Sequence, residues 1–127
     1  MPYALIIDDN PMNLETLSVL LRKEGLTPVT LDTPRALDAA IEKVDTVHVV
    51  FLDLEFPNYS GLDLVADMQA HPRLQGVPVV AYTVHTSEQN EARDAGFHSF
   101  IGKPLNVERF PDQLKRILEG VPVWEAG

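Results

Sequence analysis

The chain has 127 residues, enough for one domain with its own core and short for two. With 45% apolar residues, 23% charged residues and no cysteine, it reads as a globular sequence without disulfides, thiolate metal sites or a cysteine nucleophile. A formal net charge of −9 repels nucleic acid and anionic lipid, which argues against direct nucleic-acid or membrane binding and favours a metal cation or a basic protein surface as partner.

Residues 3–7 are an apolar run without strict alternation, the pattern of a strand buried on both faces. It is too short, and lacks the basic start, for a signal peptide, and no stretch nears the ~20 apolar residues of a membrane span, so a cytoplasmic location is expected. Residues 13–24 set Leu14, Leu17, Leu20 and Leu21 on one helical face and stop at Gly25. Residues 28–31 are a weaker strand, expected nearer a sheet edge. Thr33 caps and Pro34 starts a helix over 34–43, with Ala36, Leu37, Ala40 and Ile41 as its apolar set. Residues 47–52 repeat the buried-strand pattern, and 61–70 form a helix carrying Leu62, Leu64, Val65 and Met68. Residues 77–82 are a further Val-rich strand, followed by a short polar helix over 87–95 that Gly96 ends. A short strand over 99–101 precedes a helix over 106–118, with Asn106 as cap, Phe110, Leu114 and Ile117 among its apolar residues, and Gly120 as stop. Beyond it lies a short tail with the only tryptophan, Trp124, which either packs, hangs free or meets a partner.

Strand and helix thus alternate five times. That order argues for an α/β fold, a five-stranded parallel sheet with helices on both faces and right-handed crossovers. A single domain over 1–127 is expected, with its body at about 3–119 and a tail over 120–127.

In such sheets ligands bind beyond the carboxyl ends of the strands. Asp8 and Asp9 follow the first strand, Asp53 the third, Thr83 the fourth, and Lys103, before Pro104, the fifth. Singly these residues mean little, since an Asp-Asp pair is usually a solvated turn or an acidic helix start. Together they place three carboxylates, a hydroxyl and an ammonium on one rim. Three adjacent carboxylates repel unless a cation joins them. Mg²⁺, with Mn²⁺ as an alternative, suits few carboxylates, waters and phosphate oxygens. A carboxylate so neutralised can act as a nucleophile toward phosphorus, and that transfer needs positioning and charge more than a histidine base.

The motifs Ile6-Ile7-Asp8-Asp9-Asn10, Phe51-Leu52-Asp53-Leu54, Val79-Val80-Ala81-Tyr82-Thr83 and Ile101-Gly102-Lys103-Pro104 resemble the receiver domain of two-component response regulators. The resemblance covers about residues 3–119. It implies a flavodoxin-like (βα)5 doubly wound fold with strand order 2-1-3-4-5. It also implies Asp53 as phosphoacceptor, Asp9 as a direct Mg²⁺ ligand, Asp8 as a second-sphere one and the Glu55 backbone carbonyl as a further ligand. Thr83 and Lys103 would bind the phosphoryl group, Phe100 holds the position of a rotating aromatic, and Lys103-Pro104 would be a cis peptide. The implied donor is a histidine kinase or histidine phosphotransfer protein. The implied output is a downstream protein target, or a second copy of the chain, on the face built from the fourth helix, fifth strand and fifth helix. Such a protein catalyses only its own phosphorylation and dephosphorylation.

The sequence departs from the family around the acceptor. Phe56 and Tyr59 stand where methionines are frequent, and Val84 stands where a small residue usually lines the entrance. Glu55 and His85 occupy positions at which the family tunes dephosphorylation, with either sign open. Two other functions compete: a phosphorylation-independent pseudo-receiver scaffold, and a hydrolase with an aspartyl-phosphate intermediate and Glu55 as its acid. A flavin carrier fits less well, because Asp8-Asp9-Asn10-Pro11 would repel a phosphate. His48, His71 and His98 read as surface or strand-end residues.

Overall fold

Strands buried on both faces show no alternation in sequence because each parity of side chain meets its own layer of helices. A computed structural model, describing residues 2–125, realises this. The strands are β1 (Tyr3–Ile7), β2 (Thr27–Leu31), β3 (Val47–Leu52), β4 (Val79–Thr83), β5 (Ser99–Gly102) and β6 (Trp124–Glu125). The helices are α1 (Pro11–Lys23), α2 (Leu37–Glu42), α3 (Gly61–Ala70), α4 (Gln89–Ala95) and α5 (Phe110–Leu118). Ala4, Ile6, Phe51, Tyr82 and Ile101 pack against Leu17 and Leu21 of α1 and Leu114 and Ile117 of α5. Leu5, Ile7, Val50, Leu52, Ala81 and Phe100 pack on the opposite face against Ile41, Val65, Met68 and Ala92 from α2, α3 and α4.

The sheet is parallel throughout, in the order β2-β1-β3-β4-β5-β6. The first five strands follow the expected order; the sixth corrects the five-stranded expectation. The Phe100 amide donates to the Val123 carbonyl at 2.8 Å, and the Val123 amide donates to Ser99 Oγ at 2.9 Å. Pro122 lacks an amide hydrogen, which an outer strand tolerates. Thus β5 is not an edge, and Trp124 packs. Met1, Ala126 and Gly127, the last two belonging to the expected tail, lie outside the described residues.

Helix starts differ from expectation where side chains build a turn first. The 34–43 helix opens as a 3-10 turn (Pro34–Ala36), with Thr33 Oγ1 accepting from the Arg35 amide at 3.3 Å. The 87–95 helix follows a 3-10 turn (Thr86–Glu88). α5 starts at Phe110, because Asn106 Oδ1 accepts from the amides of Glu108 (3.0 Å) and Arg109 (3.2 Å) and holds a turn ahead of it. A two-residue hairpin, Glu55–Phe56 with Tyr59–Ser60, was not foreseen. No helix among the described residues is long and apolar enough to cross a membrane.

Candidate functional site

Backbone ladders place the polar residues at the rim. The Asp8 amide donates to the Leu31 carbonyl at 3.1 Å, and the Asp53 amide to the Ile7 carbonyl at 3.0 Å. These bonds extend the β1–β2 and β1–β3 pairings by one residue, fixing both carboxylates beside β1. Thr83 ends β4, fully buried, and its carbonyl accepts from the Lys103 amide at 2.8 Å. Lys103-Pro104 is a cis peptide. Asn10 Oδ1 caps α1 by accepting from the amides of Met12 (2.9 Å) and Asn13 (3.3 Å), while Asp8 Oδ1 accepts from the Asn10 amide at 2.9 Å. The Asp8-Asp9-Asn10-Pro11 sequence therefore both starts the helix and orients an acidic side chain.

Lys103 Nζ lies 2.6 Å from Asp8 Oδ2 and 3.7 Å from Asp53 Oδ2, its side chain almost entirely buried. It also sits 4.6 Å from the centre of the Tyr82 ring. Asp8, Asp9 and Asp53 each offer a carboxylate oxygen within 4.8 Å of the others. Asp8 and Asp53 are buried and Asp9 is exposed. Burial pushes the Asp53 carboxyl up from 3.8 to about 6; Lys103 opposes the rise, Asp8 adds to it, and the amides of Glu55 and Leu54 lower it again. Burial, then the charges of Asp8 and Asp53, push the Tyr82 hydroxyl to about 12.

Three carboxylates facing one ammonium leave unbalanced negative charge, and an all-oxygen donor set open to solvent at Asp9 suits a hard divalent cation. The residues thus fit Mg²⁺.

The loop after Asp53 is held close by Gly61, which sequence reasoning took only as a helix start. Its amide donates to the Leu54 carbonyl at 2.8 Å. A Cβ there would collide with the Asp53 carbonyl oxygen and lie 2.8 Å from Leu54 Cα. Ser60 Oγ caps α3, accepting from the Leu62 amide at 3.3 Å. The signal in the sequence was a serine cap followed at once by glycine, eight residues after the acceptor. Tyr82 was the other residue missed; it reads as core in sequence, and only the structure brings Lys103 over its ring.

Glu55 and His85 come together across two loops, with His85 Nε2 2.9 Å from Glu55 Oε2. Glu88 lies in the same group, its carboxyl raised above the usual range by burial first and then by Glu55. The His85 amide donates to Thr83 Oγ1 at 3.1 Å. Val84 is 62% exposed. Phe100 is fully buried and stacks on Trp124 with ring centres 6.1 Å apart. His48 is exposed, His71 Nε2 lies 3.2 Å from Asp38, and the His98 ring bridges Ser99 Oγ (2.9 Å) and the Gly120 carbonyl (3.3 Å).

A sequence model of the response regulator receiver domain matches residues 4–115. The polar-differentiation response regulator DivK of Brucella anthropi is 28% identical over 118 residues, spanning 91% of this chain and 94% of that one. The chemotaxis response regulator CheY4 of Vibrio cholerae superposes with a TM-score of 0.80 at 24% identity, over 92% of this chain and 98% of that one. A CheY-like receiver domain from Methylobacillus flagellatus gives 0.79 at 26% identity, over 92% and 98%.

Proposed function

Because the chain belongs to the response regulator receiver domain family, whose members are phosphorylation-dependent signalling receivers rather than classical enzymes, we propose that Asp53 is its phosphoacceptor. An Asp53 carboxylate oxygen attacks the phosphorus of a phosphohistidine on a kinase or phosphotransfer protein. The phosphorus–nitrogen bond breaks, the electron pair returns to the donor imidazole, which takes a proton from solvent, and an acyl phosphate forms on Asp53. The observation that supports this best is the convergence of Asp8, Asp9, Asp53 and Lys103 on one rim made by neighbouring strand ends.

Receiver domains generally bind Mg²⁺, and here Asp9, Asp53 and the Glu55 carbonyl would hold it, with Asp8 behind them. Bound there, the cation neutralises the carboxylates and the incoming phosphoryl oxygens. Lys103 stands ready to exchange Asp8 for the phosphoryl group, and Thr83 to turn its hydroxyl from the His85 amide toward a phosphoryl oxygen. Glu55 and His85, tied together, restrain the approach of water and so set the phosphoryl lifetime; Val84 points outward and narrows access little. Added charge at Asp53 biases β4, β5 and Phe100, and with them the α4–β5–α5 face, where a downstream protein or a second copy docks.

The scaffold reading is disfavoured by the complete set of acidic, hydroxyl and lysine residues. The test is intact mass after incubation with Mg²⁺ and acetyl phosphate. One phosphoryl adduct is expected, lost with chelator and in Asp53→Asn; an adduct that survives Asp53→Asn contradicts the assignment.

A further inference from the structure

Beside the aspartate rim lies a second group of ligating side chains with a different donor chemistry. Glu55, His85 and Glu88 each offer one ligand atom, and the three atoms lie within 4.8 Å of one another. Two short pieces of backbone present them. Glu55 opens the hairpin after Asp53 and is paired to Ser60. His85 precedes a 3-10 turn that Glu88 ends, and the Glu88 amide donates to the His85 carbonyl at 3.1 Å. Residues three apart eclipse in such a turn, so His-x-x-Glu sends an imidazole and a carboxylate to the same side.

The charge of this group is unbalanced. Two carboxylates face one imidazole, which supplies one positive charge at most. Among the described residues no lysine or arginine pairs with Glu55 or Glu88. Lys103, the ammonium of the neighbouring rim, is held by Asp8 and Asp53. An ion pair between His85 and Glu55 therefore leaves the Glu88 carboxylate without compensation, whereas a dication answers both carboxylates. The spacing suits one. An ion with tetrahedral bonds of ~2.0–2.2 Å needs donors about 3.3 Å apart. His85 Nε2 and Glu55 Oε2 stand at 2.9 Å, close to that spacing. Their side chains are 44% and 54% exposed, so they can part without disturbing packed neighbours, and Glu88 is half-buried beside them. Three protein ligands leave the fourth position to water.

We propose that Glu55, His85 and Glu88 form a second cation site, separate from the aspartate rim, that takes a borderline divalent transition ion such as Zn²⁺ through one imidazole nitrogen and two carboxylate oxygens. The imidazole sets the selectivity. Nitrogen ligation favours the later first-row ions, while the all-oxygen rim suits Mg²⁺. An ion held here joins the hairpin after Asp53 to the turn after Thr83, whose Oγ1 accepts from the His85 amide at 3.1 Å. The assignment does not depend on Asp53 being the phosphoacceptor.

The test titrates Zn²⁺ into the full chain in excess Mg²⁺, by calorimetry and by NMR of ¹⁵N-labelled imidazoles. One equivalent of Zn²⁺ is expected to bind over Mg²⁺ and to shift the ring nitrogens of His85 among the four histidines. His85→Ala and Glu88→Ala should each weaken binding at least about tenfold, since loss of even an outer-shell partner of a ligand costs about 10–100-fold. Asp9→Asn should leave it unchanged. Zn²⁺ binding that Asp9→Asn abolishes and His85→Ala spares puts the ion on the rim alone and overturns the second site. Absence of binding, or binding that shifts only His48, His71 or His98, overturns it equally. The imidazole readout is made on the unaltered chain and so holds whatever the variants do to the fold.

Discussion

The Lys103 ammonium lies closer to Asp8 (2.6 Å) than to Asp53 (3.7 Å), so in this state the lysine belongs to the acidic pair after β1 rather than to the acceptor. That division has energetic consequences. Asp8 is neutralised by a buried partner, while Asp53 faces burial with only partial compensation.

Asp53 should accordingly cost the protein stability as an anion. Its carboxyl titrates at about 6 in the fold against an ordinary 3.8, so the folded state holds the proton more tightly. Between about pH 4 and pH 6 the folded chain binds more protons than the unfolded one, and stability falls as pH rises through that window. At pH 7.5 without metal, Asp53→Asn is expected to be about 2 kcal/mol more stable than the parent, the order of two pKa units. Near pH 4 the two should coincide, and Mg²⁺ should narrow the gap at pH 7.5 by stabilising the parent. Urea unfolding at both pH values, with and without Mg²⁺, checks the sign.

Removing Lys103 should act in the opposite direction. Lys103→Met leaves Asp8 buried and unpaired, a loss of about 3 kcal/mol for a broken buried pair. Asp8→Asn in the same background should restore part of that loss. A double-mutant cycle by urea denaturation measures the coupling, and additive effects would contradict it.

Gly61→Ala places a methyl group against the Asp53 carbonyl and Leu54 Cα. Alanine normally favours a helix over glycine by ~1 kcal/mol. Here a net loss of about 1–3 kcal/mol is expected, as backbone must shift to admit it. The phosphorylation rate should fall with it, because the displaced backbone is that of the acceptor. Thermal unfolding and the rate of adduct formation read the two effects.

The Glu55–His85 pair should lengthen the life of the phosphoryl group. His85→Ala and Glu55→Ala each remove the 2.9 Å contact that joins the two loops. Both are expected to shorten the adduct lifetime up to about fivefold, the scale of an exposed pair, with little change in initial yield. Decay of the adduct mass after donor removal measures it.

Much of this was legible in sequence because it depends on local pattern. The apolar runs at 3–7 and 47–52 became strands with those bounds, while the helix expected over 13–24 begins two residues earlier, at Pro11, because Asn10 caps it. Placing Asp8, Asp53, Thr83 and Lys103 on one rim followed from their sitting at strand ends. What escaped depends on distant partners. The hairpin at Glu55–Phe56 and Tyr59–Ser60 is two residues a side, too short for a periodic signal. β6 is equally short, and its stability comes from Phe100, Arg93 and the α5 arginines rather than from its own residues. Alternation in Val121-Pro122-Val123-Trp124-Glu125 was the one available hint. The start of α5 was misjudged because Asn106 caps a turn rather than the helix itself.

The account stands on Asp53 carrying the phosphoryl group, and chemical trapping addresses that residue itself. An acyl phosphate, unlike a free carboxylate, is reduced by borohydride to an alcohol. Treatment with Mg²⁺ and acetyl phosphate, then borohydride and peptide mapping, should yield homoserine at position 53 and at no other acidic position. Reduction at Asp8, Asp9 or Glu55 with Asp53 intact would contradict the account.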